Sequence, residues 1–232
     1  MFDTRHGSTI MAAEAGSRAY GVQTKESDYD YIAVFVAPMK QVATFGAGRE
    51  ALETRAEDGR ADIRFYEISK ACRLLLKGSF NTLPLLFSEE TPVLSDFGVN
   101  FRANRTAFLS TKFVSSIFGF SSDVIAKQKD MNRFHHSDEV VARAFKKCSV
   151  AYRELIIARR LYQGVIASKG LKLDEDQVKR AHDIREGQFP IDSLERLFSD
   201  TKEDFKQVNT LPDEPDVETV QNLIMSIRYR FP

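Results

Sequence analysis

Apolar and polar positions along the chain change period near residue 68, from alternation by two to steps of three and four. Upstream, residues 9–14 read as a short strand. Residues 30–36, rich in aromatic and β-branched side chains, read as its partner, and Pro38, with no amide proton for a ladder, ends that strand. Residues 41–45 read as a further short strand and residues 46–59 as a polar loop. In residues 62–66, alternation places Asp62, Arg64 and Tyr66 on one face and Ile63 and Phe65 on the other, toward a core. From Ile68 a stripe of Ala71, Leu74 and Leu75 predicts a helix that stops at Gly78. Apolar residues 83–87 close this unit, and Glu89-Glu90-Thr91-Pro92 reads as a linker.

Everything beyond the linker reads as helical. Residues 101–118 and 121–133 predict two helices separated by Gly119-Phe120. After Ser137, the series Val141, Ala144, Cys148, Ala151, Leu155, Ala158 and Tyr162 forms one buried seam. Asp174 with Gln177, and Asp192 with Glu195, have the spacing of capping boxes. Leu194, Leu197, Phe198, Phe205 and Val208 stripe the second of these helices. A last helix starts near Asp216 and buries Val217, Val220, Ile224 and Ile227. The pattern predicts an α+β chain: a small mixed sheet with flanking helices over residues 1–92, then an all-helical domain over residues 93–232.

Composition adds limits. Hydrophobic residues at 43% and charged residues at 28% of 232 are ordinary for a globular protein and argue against wholesale disorder. The 33 basic and 33 acidic side chains cancel, which excludes an indiscriminate polyanion binder but permits local patches. Cys72 and Cys148 lack metal-type spacing and read as reduced, buried thiols. No apolar run approaches the roughly 20 residues of a membrane span. The first residues lack the apolar core of a signal peptide, so a cytoplasmic protein is expected. Cations concentrate between residues 102 and 160, where Lys146, Arg153 and Arg160 recur every seven residues on a helix face away from the seam. This stripe predicts contact with a nucleic acid; intramolecular pairing of the same charges is the competing reading.

The candidate chemistry lies in Ala15-Gly16-Ser17-Arg18-Ala19-Tyr20-Gly21 and Ser27-Asp28-Tyr29-Asp30-Tyr31. If the second stretch opens a strand, Asp28 and Asp30 share a face, and carboxylates so close repel unless a cation lies between them. Oxygen ligands favour a hard ion such as Mg²⁺ or Mn²⁺ bound with substrate phosphates. Gly16 allows close backbone approach to a phosphate, and the Ser17 hydroxyl can donate to it. Arg18, and Lys70 in the first turn after the third strand, are candidate phosphate contacts. Tyr20, Tyr29 and Tyr31 are candidates to stack on a base, though alternation sends Tyr29 away from the acids and toward the core. His135 and His136 are adjacent, do not converge on a metal, and read as loop.

The Gly-Ser turn followed by Asp-x-Asp resembles the DNA-polymerase-β-like nucleotidyltransferase superfamily, closest to a bacterial and phage branch of which some members are associated with RNA ligases. The resemblance extends over Ala61-Asp62-Ile63-Arg64-Phe65-Tyr66 and Leu74-Leu75-Leu76-Lys77-Gly78 and fades beyond the first ninety or so residues. It implies that residues 1–92 are a nucleotidyltransferase catalytic domain and residues 93–232 a helical substrate-binding domain. Asp62 then supplies the third acid: Asp28 and Asp30 bridge two ions, one shared with Asp62, which also accepts the proton of an attacking hydroxyl. Glu67, an odd number of positions from Asp62, faces away. The resemblance implies NMP transfer from an NTP, ATP first, to an acceptor hydroxyl, with an RNA end the leading acceptor. A small-molecule or protein acceptor, or a nucleotide-binding module without turnover, are the alternatives.

Overall fold

The computed structural model describes residues 2, 4, 6–45, 50–55, 59, 61–131 and 137–231. The predicted His135-His136 loop lies outside them. Contacts divide the chain into two compact units, residues 1–110 with 212–232 and residues 111–211. The division differs from the expected break after residue 92, for reasons that appear along the chain.

In the first unit Ser8–Glu14 (β1) buries Ile10, Met11, Ala12 and Ala13, and after the short helix Gly16–Ala19 (α1) pairs antiparallel with Tyr29–Val36 (β2). Residues 41–45 are not a strand but part of the helix Met39–Phe45 (α2). Pro38 supplies the carbonyl that Val42 N–H bonds at 3.1 Å, and Val42 packs on the sheet. Lys, Gln and Ala are good helix formers, and so short a run cannot reveal its period. The expected polar loop contains the strand Ala51–Arg55 (β3), antiparallel to Ala61–Glu67 (β4) with Leu52 opposite Phe65. As an edge strand it packs only Leu52 against the core, so no apolar alternation marks it.

β4 runs parallel to β2, bringing Asp30 opposite Asp62 and Ala33 opposite Phe65. Residues 89–92 are no linker: Glu14 N–H bonds Glu90 O at 2.9 Å, and the following Val93–Leu94 (β5) pairs with β1. The finished sheet has the order β3-β4-β2-β1-β5. Ala12, Ala33, Phe35, Ala37, Ile63 and Phe65 form the core on one face.

Ile68–Leu76 (α3) follows β4 directly, capped by the Glu67 carboxylate, which accepts the Ser69 amide at 2.8 Å; the chain leaves it through Gly78. Pro84–Phe87 (α4) is wholly buried, and Asp96–Ala103 (α5) is capped by Ser95. The last helix packs into this same unit.

Thr111–Met131 (α6) opens the second unit and runs unbroken through Gly119-Phe120, where two helices were expected. Asp138–Tyr162 (α7) follows, with Cys148, Ala151, Leu155, Ala158 and Tyr162 of the predicted seam buried. After Ile166–Lys169 (α8), Glu175–Arg185 (α9) carries the predicted capping box in full: Gln177 N–H donates to Asp174 Oδ1 at 2.9 Å and Asp174 N–H to Gln177 Oε1 at 3.2 Å. The second box does not form. Ile191–Val208 (α10) begins after Pro190, Asp192 lies in its first turn, and Glu195 instead pairs with Lys129 at 2.6 Å. Phe118 stands edge-on to Phe198 and Phe205, with 5.8 Å between ring centroids in each pair.

Val217–Arg228 (α11), capped by Asp216, returns to the first unit and buries Val220, Leu223 and Ile227, while Val217 stays exposed. Arg228 Nη2 donates to Glu67 Oε1 at 2.6 Å and to Ser69 Oγ at 2.8 Å. Cys72 and Cys148 are free and buried, and burial pushes their thiols up to about 12 and about 11. Among the described residues no helix is long and apolar enough to cross a membrane.

Candidate active site

The turn between β1 and β2 is built on Gly16. Ala15 N–H donates to Asp30 O at 2.7 Å, which lays the turn across the start of β2. Gly16 has φ +60°, and a β-carbon there would sit 2.7 Å from Asp30 Cγ, overlapping the carboxylate. Only glycine combines that dihedral with that clearance. Ser17, next in the chain and half-buried, is the second residue of the single turn α1, whose first amides have no intrahelical acceptor.

Asp30 and Asp62 are register partners on adjacent parallel strands. Partners of this kind stand about 4.8 Å apart and send their side chains to the same face. Asp28 lies one residue before β2 and is exposed. Among the described residues no three Asp, Glu, His or Cys side chains gather closely enough to hold a metal, so Asp28 does not close a triad with the other two. Asp62 has a neighbour that sequence patterning missed: Arg55, its register partner on β3, lies 3.5 Å away, both side chains more than half exposed. Glu53 pairs likewise with Arg64 at 2.7 Å. An exposed pair of this kind contributes roughly 0–1 kcal/mol and yields readily to a competing ligand. Lys70, half-buried in the first turn of α3, follows the same strand.

Glu67 takes no part in this face. It is fully buried, caps α3 and binds Arg228. The tyrosines divide otherwise than expected. Tyr20 is buried, whereas Tyr29, expected in the core, is 41% exposed and stacks on Tyr31 with ring centroids 6.3 Å apart. Burial, and next the negative charge of Glu14, hold the Tyr31 phenol above its ordinary pKa. Arg18 lies 3.7 Å above the Tyr29 ring, and its Nη2 donates to Ser27 O at 3.1 Å. Arg18 thereby ties α1 to the loop that delivers Asp28.

The basic stripe does not form. Arg160 is buried; its Nη1 reaches the carbonyls of Lys172 at 2.7 Å and Gly170 at 3.0 Å, and its Nη2 donates to Gln177 Oε1 at 3.2 Å. Arg153 grips Glu154 Oε1 through Nε at 3.0 Å and Nη2 at 2.9 Å, with 11% of its side chain exposed. Of the three, Lys146 alone is exposed. The cause is a second packed face on α7: α9 lies against it, with Ser149 Oγ donating to Ala181 O at 2.7 Å. Seven-residue spacing identifies a shared face but not what covers it.

Residues 2–163 match the model of the RNA repair pathway DNA polymerase beta family. No curated protein matches the chain. Among solved structures, a nucleotidyltransferase-like protein from Exiguobacterium sibiricum 255-15 is similar at 11% identity over 97% of this chain and 75% of its own, with a TM-score of 0.34. The family match takes in well over half of the chain, from the glycine-serine turn through both strands that carry Asp30 and Asp62 and on to the end of α7. On that extent the chain belongs to the RNA repair pathway DNA polymerase beta family.

Proposed function

We propose that the protein is a divalent-metal-dependent nucleotidyltransferase that moves an NMP from an NTP, ATP first, to the hydroxyl of an RNA end and releases pyrophosphate. The observation that carries this reading is the in-register opposition of Asp30 and Asp62, with Gly16 cleared of a β-carbon beneath the Asp30 carboxylate. Two facing carboxylates are a hard-oxygen donor set that suits Mg²⁺ or Mn²⁺, which Asp30 and Asp62 would hold. Such an ion, when bound, neutralises phosphate charge and lowers the pKa of a hydroxyl.

The chain's own groups do the rest. The Ser17 hydroxyl and the first amides of α1 donate to phosphate oxygens, and Lys70 adds a point charge. Asp62 accepts the proton of the acceptor hydroxyl as its oxygen bonds the α-phosphorus and the bond to pyrophosphate breaks. Arg18 holds the loop before Asp28 through Ser27 O and the Tyr29 ring. RNA as acceptor is supported by the family's description, not by the α7 stripe.

One observation favours a second reading, a nucleotide-binding module without turnover: the described residues present two close acids and not three. Incubation with each α-labelled NTP, Mg²⁺ or Mn²⁺, RNA and a metabolite extract separates the two. Label in RNA with pyrophosphate release supports the transferase; label in a small molecule or a protein reassigns the acceptor. Thermal stabilisation by NTP with no pyrophosphate from any pool selects the binding module.

A further inference from the structure

The facing acids belong to a row that crosses three strands. Arg55 of β3 stands opposite Asp62 of β4, and Asp62 stands opposite Asp30 of β2. Residues paired in this way share a face of the sheet and follow one another at about 4.8 Å. On the far side of β2 the row ends on the glycine-serine turn: Ala15 N–H bonds Asp30 O, and Gly16 leaves room for the Asp30 carboxylate. The two carboxylates therefore have a guanidinium on one flank and the amides that follow Gly16 on the other.

Arg55 keeps its donors open. Its Nε lies 3.5 Å from Asp62 Oδ1, too far for a good hydrogen bond, and 63% of its side chain is exposed. Among the described residues no hydrogen bond engages this guanidinium. The next cation on the same face differs, because Arg64 Nε donates to Glu53 Oε1 at 2.7 Å and is spent there. Arg55 thus presents a planar fork of the kind that takes a phosphate by two parallel hydrogen bonds. Its contact with Asp62 is screened by solvent and costs little to give up.

The order of the row decides which phosphate the fork meets. An in-line displacement puts the entering and leaving oxygens on opposite sides of the phosphorus. With pyrophosphate on the Ser17 flank, the hydroxyl enters on the β3 flank, where Asp62 takes its proton and Arg55 comes next. At the end of a polynucleotide, the charged group nearest a terminal hydroxyl is the last phosphodiester.

We propose that Arg55 is a specificity-determining residue for the acceptor. Its guanidinium binds the phosphodiester next to the attacking hydroxyl and so selects a polynucleotide end over an uncharged alcohol. The assignment of that phosphate to the acceptor rests on the transferase reading above.

The test is a binding cycle without turnover. Fluorescence anisotropy in Mg²⁺, with no NTP present, follows three labelled single-stranded RNAs: one unmodified, and two with an uncharged methylphosphonate at the last linkage of the 3′ or the 5′ end. Each is titrated against the unmodified chain and R55Q. Because Arg55 is exposed and holds no hydrogen bond, R55Q is expected to unfold at the same temperature. The unmodified chain is expected to bind one of the two modified RNAs at least about 10-fold more weakly, the effect of one charge-assisted hydrogen bond. R55Q is expected to bind all three alike, to lower the salt slope by about 0.7, one single-strand phosphate, and to leave ATP binding unchanged. Equal discrimination by the two chains, or RNA affinity untouched by R55Q, would overturn the assignment. Weaker ATP binding in R55Q with RNA binding intact gives the fork to the triphosphate and overturns it as well. NMP transfer to RNA without the R55Q effect leaves the transferase reading standing and removes Arg55 from it. The binding cycle intact without any transfer counts against that reading and not against the contact.

Discussion

Gly16 and Asp30 behave as one unit at the scale of single residues. The glycine's positive φ and the carboxylate over its missing β-carbon mean that neither can change without moving the other. Gly16→Ala is expected to cost about 1–3 kcal/mol in urea unfolding from dihedral strain alone, and to displace Asp30 so that NMP transfer drops at least about 10-fold. A variant with the stability and rate of the unmodified chain would show that the turn is not built on this contact. Asp30 and Asp62 were legible because alternation holds in strands whose other face is buried. The fate of Arg160 was not, since periodicity along α7 carries no information about the later segment that packs on it. Arg55 gave no signal at all, its contact with Asp62 arising only from the pairing of a polar edge strand.

The junction of β4 with α3 is the element that the candidate site depends on, because it carries Asp62 five residues before Glu67 and Lys70 three residues after it. A buried ion pair from α11 locks it: Glu67 is fully buried, Arg228 nearly so, and Ser69 joins both. Arg228→Met leaves the Glu67 carboxylate buried without its cation and is expected to cost about 3–5 kcal/mol. Chemical denaturation measures this, and a loss below about 1 kcal/mol would mean that the pair is not what holds the junction. Elements with an apolar run (β1, β2), a clean alternation (β4) or a helical stripe (α3, α7) were readable from the sequence. The misread ones each have a physical cause. α2 is too short to display a period, β3 is nearly all solvent-facing, and α6 passes through Gly119 because a helix of 21 residues tolerates one glycine at about 1 kcal/mol.

Across the whole molecule, the sheet unit is discontinuous in sequence, completed by residues 212–232 after the helical unit has been made. A linker reading at residues 89–92 missed this, because nothing local to Glu89-Glu90-Thr91-Pro92 reveals that β5 joins the sheet next or that α11 comes back. Truncation after Leu211 removes the buried Val220, Leu223 and Ile227, each contributing roughly 1.5–3 kcal/mol, together with Arg228. The sheet unit of such a chain is expected to lose protection in amide hydrogen exchange along β4 and α3, while α6 and α7 keep theirs. Unchanged protection in β4 would contradict the closing role given to α11. The most direct measurement of the central claim is transfer of α-labelled NMP to RNA, with pyrophosphate release, by the unmodified chain and by D30N, D62N and D30N/D62N at equal thermal stability. The account predicts that each single exchange lowers transfer at least about 10²-fold, a loss of the size seen when one preorganised charge-stabilising group is removed. It also predicts that the double exchange is no worse than the more damaging single one, as groups that share one ion must behave. Full transfer by D30N/D62N would contradict it.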